Sequence, residues 1–254
     1  MLVDTHAHLQ WASFNMDREK AICRAIEVAV EYIVNIGVDV DGSREAIKLA
    51  ERHKGLFATV GIHPHNASQL NENILDKLRN LSENPKVVAF GEIGLDYYRN
   101  LSPPEAQKRA FEAQLFLAEE LELPVVIHDR EAHADILDIL SKFKGRLGGV
   151  MHCFSGNREM AEQCVESGFY LSFAGPVTFP NAHKLQEIVK LVDLNRILLE
   201  TDSPWLAPQQ MRGKRNEPAF LPFIARKIAE IKGISADELA EITTRNAKEV
   251  FHLI

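Results

Sequence analysis

Eight short apolar runs recur along the chain and limit what it can fold into more than any other feature. They are Leu2-Val3-Asp4, Tyr32-Ile33-Val34-Asn35-Ile36, Leu56-Phe57-Ala58-Thr59-Val60, Val87-Val88-Ala89-Phe90, Val125-Val126-Ile127, Gly149-Val150-Met151, Phe169-Tyr170-Leu171-Ser172 and Ile197-Leu198-Leu199. Nearly continuous apolar runs of this length mean strands buried on both faces, as in parallel sheets covered by helices. Helical segments lie between them. Ala21, Ile22, Ala25, Ile26, Ala29 and Val30 form an apolar stripe, with Cys23 placed on a helical apolar face, and Ser102-Pro103-Pro104-Glu105 predicts a long helix capped by Ser102. Met160 and Cys164 share a helical face that Gly168 closes, and Ser235 caps a final helix whose Leu239, Ile242, Ala247 and Val250 face the core. Asn216-Glu217-Pro218 reads as one more helix start. Eight strand signals alternating with helices over 254 residues favour an α/β closed (β/α)8 TIM barrel over an open doubly wound sheet. No linker, repeat or low-complexity tract divides the chain, so residues 1–254 are expected to form one barrel domain.

Composition removes several function classes. No stretch approaches the roughly 20 uninterrupted apolar residues of a membrane span, and the N-terminus enters a strand at once, so a cytoplasmic location with no membrane partner is expected. Cys23, Cys153 and Cys164 form no C-x-x-C zinc pattern and read as reduced thiols, Cys153 near the site. A net charge of -7 argues against a broad nucleic-acid-binding surface while leaving room for a local basic groove.

The polar residues fall where such a barrel keeps its chemistry, at the C-terminal ends of strands. His6 and His8 end the first run and, with period two, project to one side. His63 and His65 follow the third run, Glu92 the fourth, His128 the fifth, His152 the sixth, and Glu200 and Asp202 the eighth. Unpaired histidines and carboxylates converging in one barrel mouth would be strongly disfavoured by desolvation and mutual repulsion. Divalent cations resolve that conflict. The expected division gives His6, His8 and Asp202 to one ion and His128 and His152 to a second, with Glu92 bridging both, an arrangement suited to phosphoryl transfer. Mixed histidine and carboxylate donors suit zinc, manganese, nickel or iron, and magnesium is tolerated in phosphoryl sites.

Five motifs then resemble those of the TatD family of metal-dependent deoxyribonucleases: Asp4-Thr5-His6-Ala7-His8-Leu9, Gly61-Ile62-His63-Pro64, Gly91-Glu92-Ile93-Gly94-Leu95-Asp96-Tyr97-Tyr98, Met151-His152-Cys153-Phe154-Ser155-Gly156 and Glu200-Thr201-Asp202-Ser203-Pro204. The resemblance runs from the first residues to the last helix. It implies an amidohydrolase-type barrel, divalent metals held by His6, His8, Glu92, His128, His152 and Asp202, and hydrolysis of DNA phosphodiesters, often from the 3′ end.

Within that expectation Asp202 is the candidate general base, unless it only coordinates. Glu200 orients a ligand or substrate group or is structural, and His63 donates to a phosphate oxygen or leaving group or supports a ligand. Arg212-Gly213-Lys214-Arg215-Asn216 is a basic loop where barrels often bind phosphate, so Arg212, Lys214 and Arg215, with His65, are candidate substrate contacts unless the loop is a solvated turn. Trp11, Phe154, Phe179 and Trp205 lie in strand-end loops and could stack bases or simply pack. The expected activity is a two-metal deoxyribonuclease acting on DNA ends or single strands without an obligate protein partner. Hydrolysis of an amide, ester or aminoacyl-nucleic-acid bond is the alternative, and a metal-bearing binding module the remaining one.

Overall fold

Apolar strands need both faces covered, and the chain meets that need by wrapping its strands into a ring with helices outside. A computed structural model describes residues 1–253. The strands are β1 (Leu2–Ala7), β2 (Val30–Asn35), β3 (Leu56–Val60), β4 (Val87–Asp96), β5 (Val125–Arg130), β6 (Gly149–Met151), β7 (Phe169–Phe173) and β8 (Ile197–Leu199). They pair in parallel in sequence order as one 8-stranded sheet. Among the described residues nine α-helices alternate with or follow them: α1 (Arg18–Glu27), α2 (Val40–Arg52), α3 (Glu72–Ser82), α4 (Pro104–Glu120), α5 (His133–Ser141), α6 (Arg158–Glu166), α7 (His183–Leu191), α8 (Leu221–Lys232) and α9 (Ala236–Phe251). None is long and apolar enough to cross a membrane.

The ring closes between β1 and the segment after β8, through an Ala7–Ser203 bridge and hydrogen bonds from His8 N to Ser203 O (2.8 Å) and Asp202 N to His6 O (2.9 Å). Two clusters fill the fold. The larger lies between strands and helices. The smaller joins Val3, Val34, Val126, Val150 and Leu198 of the strands to Val250, Phe251 and Leu253. Thr244 Oγ1 donates to Met1 O and Asn246 Nδ2 to Ile197 O, so α9 packs across the strand starts, at the end opposite the histidines.

Two strands carry register shifts that matter for the site. Between Asp4 and Ala7 β1 loses step with β2, and between Gly91 and Ile93 β4 loses step with β5. Thr5 and His6 on β1 and Glu92 on β4 are therefore the residues left out of the ladder, and such irregularities re-aim side chains. Gly94 is required just beyond: a Cβ there would stand 2.0 Å from His128 O, so only glycine lets the two ligand-bearing strands approach this closely.

Local expectations fared unevenly. Ser235 does cap α9, accepting from Glu238 N at 3.1 Å. Ser102 does not cap α4, because Pro103 occupies the cap position. The Ser102 hydroxyl instead donates to His65 O (2.9 Å) and accepts from Ser68 N (3.1 Å), tying the loop after β3 to the start of α4. Helix α1 buries Ala21, Ile22 and Ala25, while Cys23 and Ile26 are exposed. It ends early because Ala29 turns into the left-handed region (φ 62°), which breaks the stripe.

Candidate active site

The site histidines His8, His63, His128 and His152 each have one ring nitrogen against a neighbouring group other than Glu92. His8 Nδ1 lies 3.2 Å from Ile36 O, which requires the proton on Nδ1 and leaves the Nε2 lone pair free. His128 Nε2 lies 3.1 Å from Asp96 Oδ2, and its Nδ1 2.8 Å from Glu92 Oε1. His152 Nδ1 is 2.9 Å from Glu200 Oε1, an electrostatic contact without straight hydrogen-bond geometry, and its Nε2 is 3.6 Å from Glu92 Oε1. His63 Nδ1 accepts from His65 N at 3.1 Å, and its Nε2 stands 3.6 Å from Glu92 Oε1.

Glu92 sits at the centre, 3% exposed. Its Oε2 faces His6 and His8 (3.5 and 3.9 Å), while its Oε1 faces His63, His128 and His152. Asp202 Oδ1 completes the first group, 3.7 Å from His6 Nε2 and 3.5 Å from His8 Nε2. His6 and His8 bring their Nε2 atoms within 3.0 Å, and the His6 ring stacks on that of His152 with centroids 3.5 Å apart.

The electrostatics of this cluster are set by burial and by three carboxylates, Glu92, Asp96 and Glu200. Burial pushes His6 down to about 3 and His63 well below the usual histidine range. Burial also opposes protonation of His128 and His152, but hydrogen bonds from His128 to Asp96 and Glu92 hold it up at about 9, and the charges of Glu200 and Glu92 hold His152 up at about 10. For Glu92 the surrounding histidines outweigh burial and keep the carboxylate ionised.

A divalent cation fits these residues. The His6 and His8 Nε2 atoms, 3.0 Å apart, are held together by a proton on one of them or by a cation between them, and nitrogens bound to one cation at about 2.1 Å stand roughly 3.0–3.4 Å apart. His6 Nδ1 is a buried polar atom with no hydrogen-bond partner among the described residues, while its Nε2 is the nitrogen turned to Glu92 and Asp202. Three donor sets gather within 4.8 Å: His6, His152 and Asp202; His6, His8 and Glu92; His63, Glu92 and His128. His63 thus sits inside the donor cluster, whereas the sequence placed it beside the ligands.

The remaining candidates divide. Glu200 is fully buried, accepting from Cys153 N at 2.7 Å and from Ser172 Oγ, and its carboxylate lies against the His152 ring. His65 Nε2 lies 2.9 Å from Asp96 Oδ2. Arg212 and Lys214 are exposed. Arg215, expected beside them on substrate phosphates, turns away: it pairs with Asp17 (2.6 Å) and Glu217 (3.3 Å) and lies over the Phe14 ring. Two acidic neighbours outcompete solvent for a planar guanidinium, which makes Arg215 part of the scaffold.

Two carboxylates were missed. Asp96 accepts from both His65 and His128. Asp4 is fully buried and accepts from Thr201 N (2.9 Å), Thr201 Oγ1 (2.6 Å) and His6 N (3.3 Å), with burial pushing its carboxyl up to about 7. The signal was the period-two spacing of Asp4 with His6, and of Glu92 with Asp96 once β4 is seen to run on to residue 96.

Residues 3–252 match the family model of TatD related DNase. An uncharacterized metal-dependent hydrolase, YabD, of Bacillus subtilis is 44% identical over the full length of both chains. A 3'-5' ssDNA/RNA exonuclease TatD of Erwinia tasmaniensis is 41% identical, covering 99% of this chain and 100% of that protein. The solved structure of a TatD homolog from Escherichia coli superposes with a TM-score of 0.94 at 30% identity, covering 100% of this chain and 98% of that one.

Proposed function

Because the chain belongs to the family of TatD-related DNases, we propose that it is a metal-dependent nuclease that hydrolyses phosphodiester bonds of single-stranded nucleic acid from the 3′ end. The observation that carries this reading is Glu92, whose two oxygens face two different groups of histidines. His6, His8 and Asp202 would hold one divalent cation and His128 and His152 a second, with Glu92 shared between them and His63 beside the second. Bound there, such cations supply Lewis acidity, acidifying water and neutralising charge on phosphoryl oxygens.

The chain's own groups supply the rest. Asp202 is the site carboxylate whose side chain is 14% exposed, against 4% for Glu92, so it is placed to meet an incoming water and accept its proton on the oxygen other than Oδ1, which faces His6 and His8. His63, with Nδ1 taken by His65 N, carries its proton on Nε2 and donates it in a hydrogen bond to a phosphate oxygen or the leaving group. Asp96 fixes the rings of His65 and His128, and Glu200 that of His152, which holds the constellation still while the substrate enters. His65 edges the mouth, and Arg212 and Lys214 contact the strand's phosphates. Its three cysteines are free, which suits a reducing cytoplasm.

The test is a metal-replacement series. Protein stripped with chelator is reloaded with magnesium, manganese, zinc, nickel or iron and given 5′-labelled single-stranded DNA, duplex DNA, RNA and aminoacyl-RNA. Stepwise shortening of the single strand from its 3′ end is the expected result. Release of the aminoacyl group with every phosphodiester left intact would overturn the reading.

A further inference from the structure

Beside the donor cluster lies a feature that phosphodiester hydrolysis does not by itself require. The chain has two tryptophans, and they touch each other: the rings of Trp11 and Trp205 meet at 79° with centroids 5.0 Å apart. Both are 42% exposed. The Trp205 ring is 5.1 Å from that of His8, and the Trp11 ring 6.4 Å. Of the other two aromatics that the strand-end loops suggested, Phe154 is buried at 4% and Phe179 lies under the Arg212 guanidinium.

Exposed apolar surface of this size is unfavourable unless it is used, and here it is also held rigid. Trp11 N donates to His8 O (3.1 Å) and Trp205 N to Asp202 O (2.9 Å), so each tryptophan is hydrogen-bonded directly to a candidate ligand's carbonyl. Buried Asn216 fixes the second loop further, donating from Nδ2 to Trp205 O (2.6 Å) and Thr201 O (2.7 Å). The loop is also pressed against the turn after β7, where a Cβ on Gly175 would come within 1.8 Å of Leu206 O. The result is a fixed aromatic corner opening at the barrel mouth. It presents flat apolar faces beside His8, one of the groups proposed to hold the scissile phosphate's cation.

We propose that Trp11 and Trp205 form a stacking subsite for an unpaired nucleobase adjoining the scissile phosphodiester. The proposal rests on the nuclease reading and adds to it how a strand end is held. Stacking uses the π-face common to every base, so the subsite selects an unpaired base without selecting its identity. A base within a duplex has both faces covered and cannot enter the corner.

Because both tryptophans lie in the subsite, intrinsic tryptophan emission reports on it alone. The metal-loaded enzyme is titrated with a phosphorothioate oligothymidylate and with the same oligomer carrying abasic residues at its last two 3′ positions. Cleavage of the ordinary phosphodiester versions is followed for wild type, Trp11→Ala, Trp205→Ala and Trp205→Phe. The normal oligomer should quench emission and the abasic one much less. Base removal should lower wild-type kcat/KM about tenfold, with little further loss in the alanine variants and most of the penalty restored in Trp205→Phe. Equal quenching by both oligomers, or an undiminished abasic penalty in the alanine variants, would overturn the subsite while leaving the nuclease reading intact. Failure of every oligomer to be cleaved would overturn both. A dimer that the alanine variants convert to monomer would assign the corner to a second copy of the chain and also overturn the proposal.

Discussion

The backbone N–H of Asp202 donates to the carbonyl of His6 at 2.9 Å, so the hydrogen bonds that close the barrel are made by its candidate ligands. The next bond along, from His8 N to Ser203 O, repeats the pattern. Asp202 itself sits in the left-handed region at φ 53°, a conformation that persists only where surrounding contacts impose it. Seam and site are one construction, and loosening either should loosen the other.

Asp4 fastens that seam through three accepted hydrogen bonds in a fully buried position. Asp4→Ala should lower stability by about 3 kcal/mol, since it leaves buried donors unsatisfied, and should reduce bound metal in the same preparation. Urea unfolding with parallel elemental analysis checks both. A stability loss with full metal content would show that the seam and the site are separable.

Glu92→Gln should reduce bound metal, because an amide cannot share its charge between two cations as a carboxylate can. An unchanged metal count would remove Glu92 from the bridging role and leave the barrel untouched.

Asp202→Asn should keep a filled or nearly filled site while kcat falls on the order of 100-fold, the size of effect seen when a positioned base is lost. Metal content and single-turnover rate are measured on one preparation. Outright loss of a metal would make Asp202 chiefly a ligand, and near-normal turnover with both metals would pass the base role to another group.

The Asp17–Arg215 pair tests the scaffold role of the basic loop. Hydrogen bonds from Arg215 and Arg24 hold the Asp17 carboxyl below the usual carboxylate range. A depressed folded pKa adds stability above the unfolded value of about 3.9 and loses it as pH falls below that value. Asp17→Asn should therefore cost on the order of 1 kcal/mol at neutral pH, the pair being partly exposed, with the gap to wild type narrowing as pH falls from about 5 toward 2. A gap independent of pH would show that the ion pair contributes nothing.

The barrel was legible because β-strand burial writes itself into composition: each strand lies within or overlaps an apolar run, and the runs alternate with helical segments. The donors were legible because they follow those runs. Boundaries were less so. The strand carrying Glu92 continues to Asp96, since a bulge, a device with no compositional signature, lets a polar segment stay in the sheet. Cys23 and Ile26 looked buried because helical periodicity says which residues share a face, not where packing against the neighbouring elements stops.

By itself, then, the sequence determined the alternation of strands and helices, and with it the side of the barrel on which the histidines and carboxylates must gather, since burial and chain direction are local properties. The tertiary structure decided which atoms meet. That Glu92 turns one oxygen to each group of histidines, that His63 lies against Glu92, that Arg215 pairs with Asp17 and that two tryptophans far apart in the chain share a corner all depend on side-chain direction in the closed barrel. Residues at opposite ends of the chain are brought together there by long-range pairing that no local pattern records.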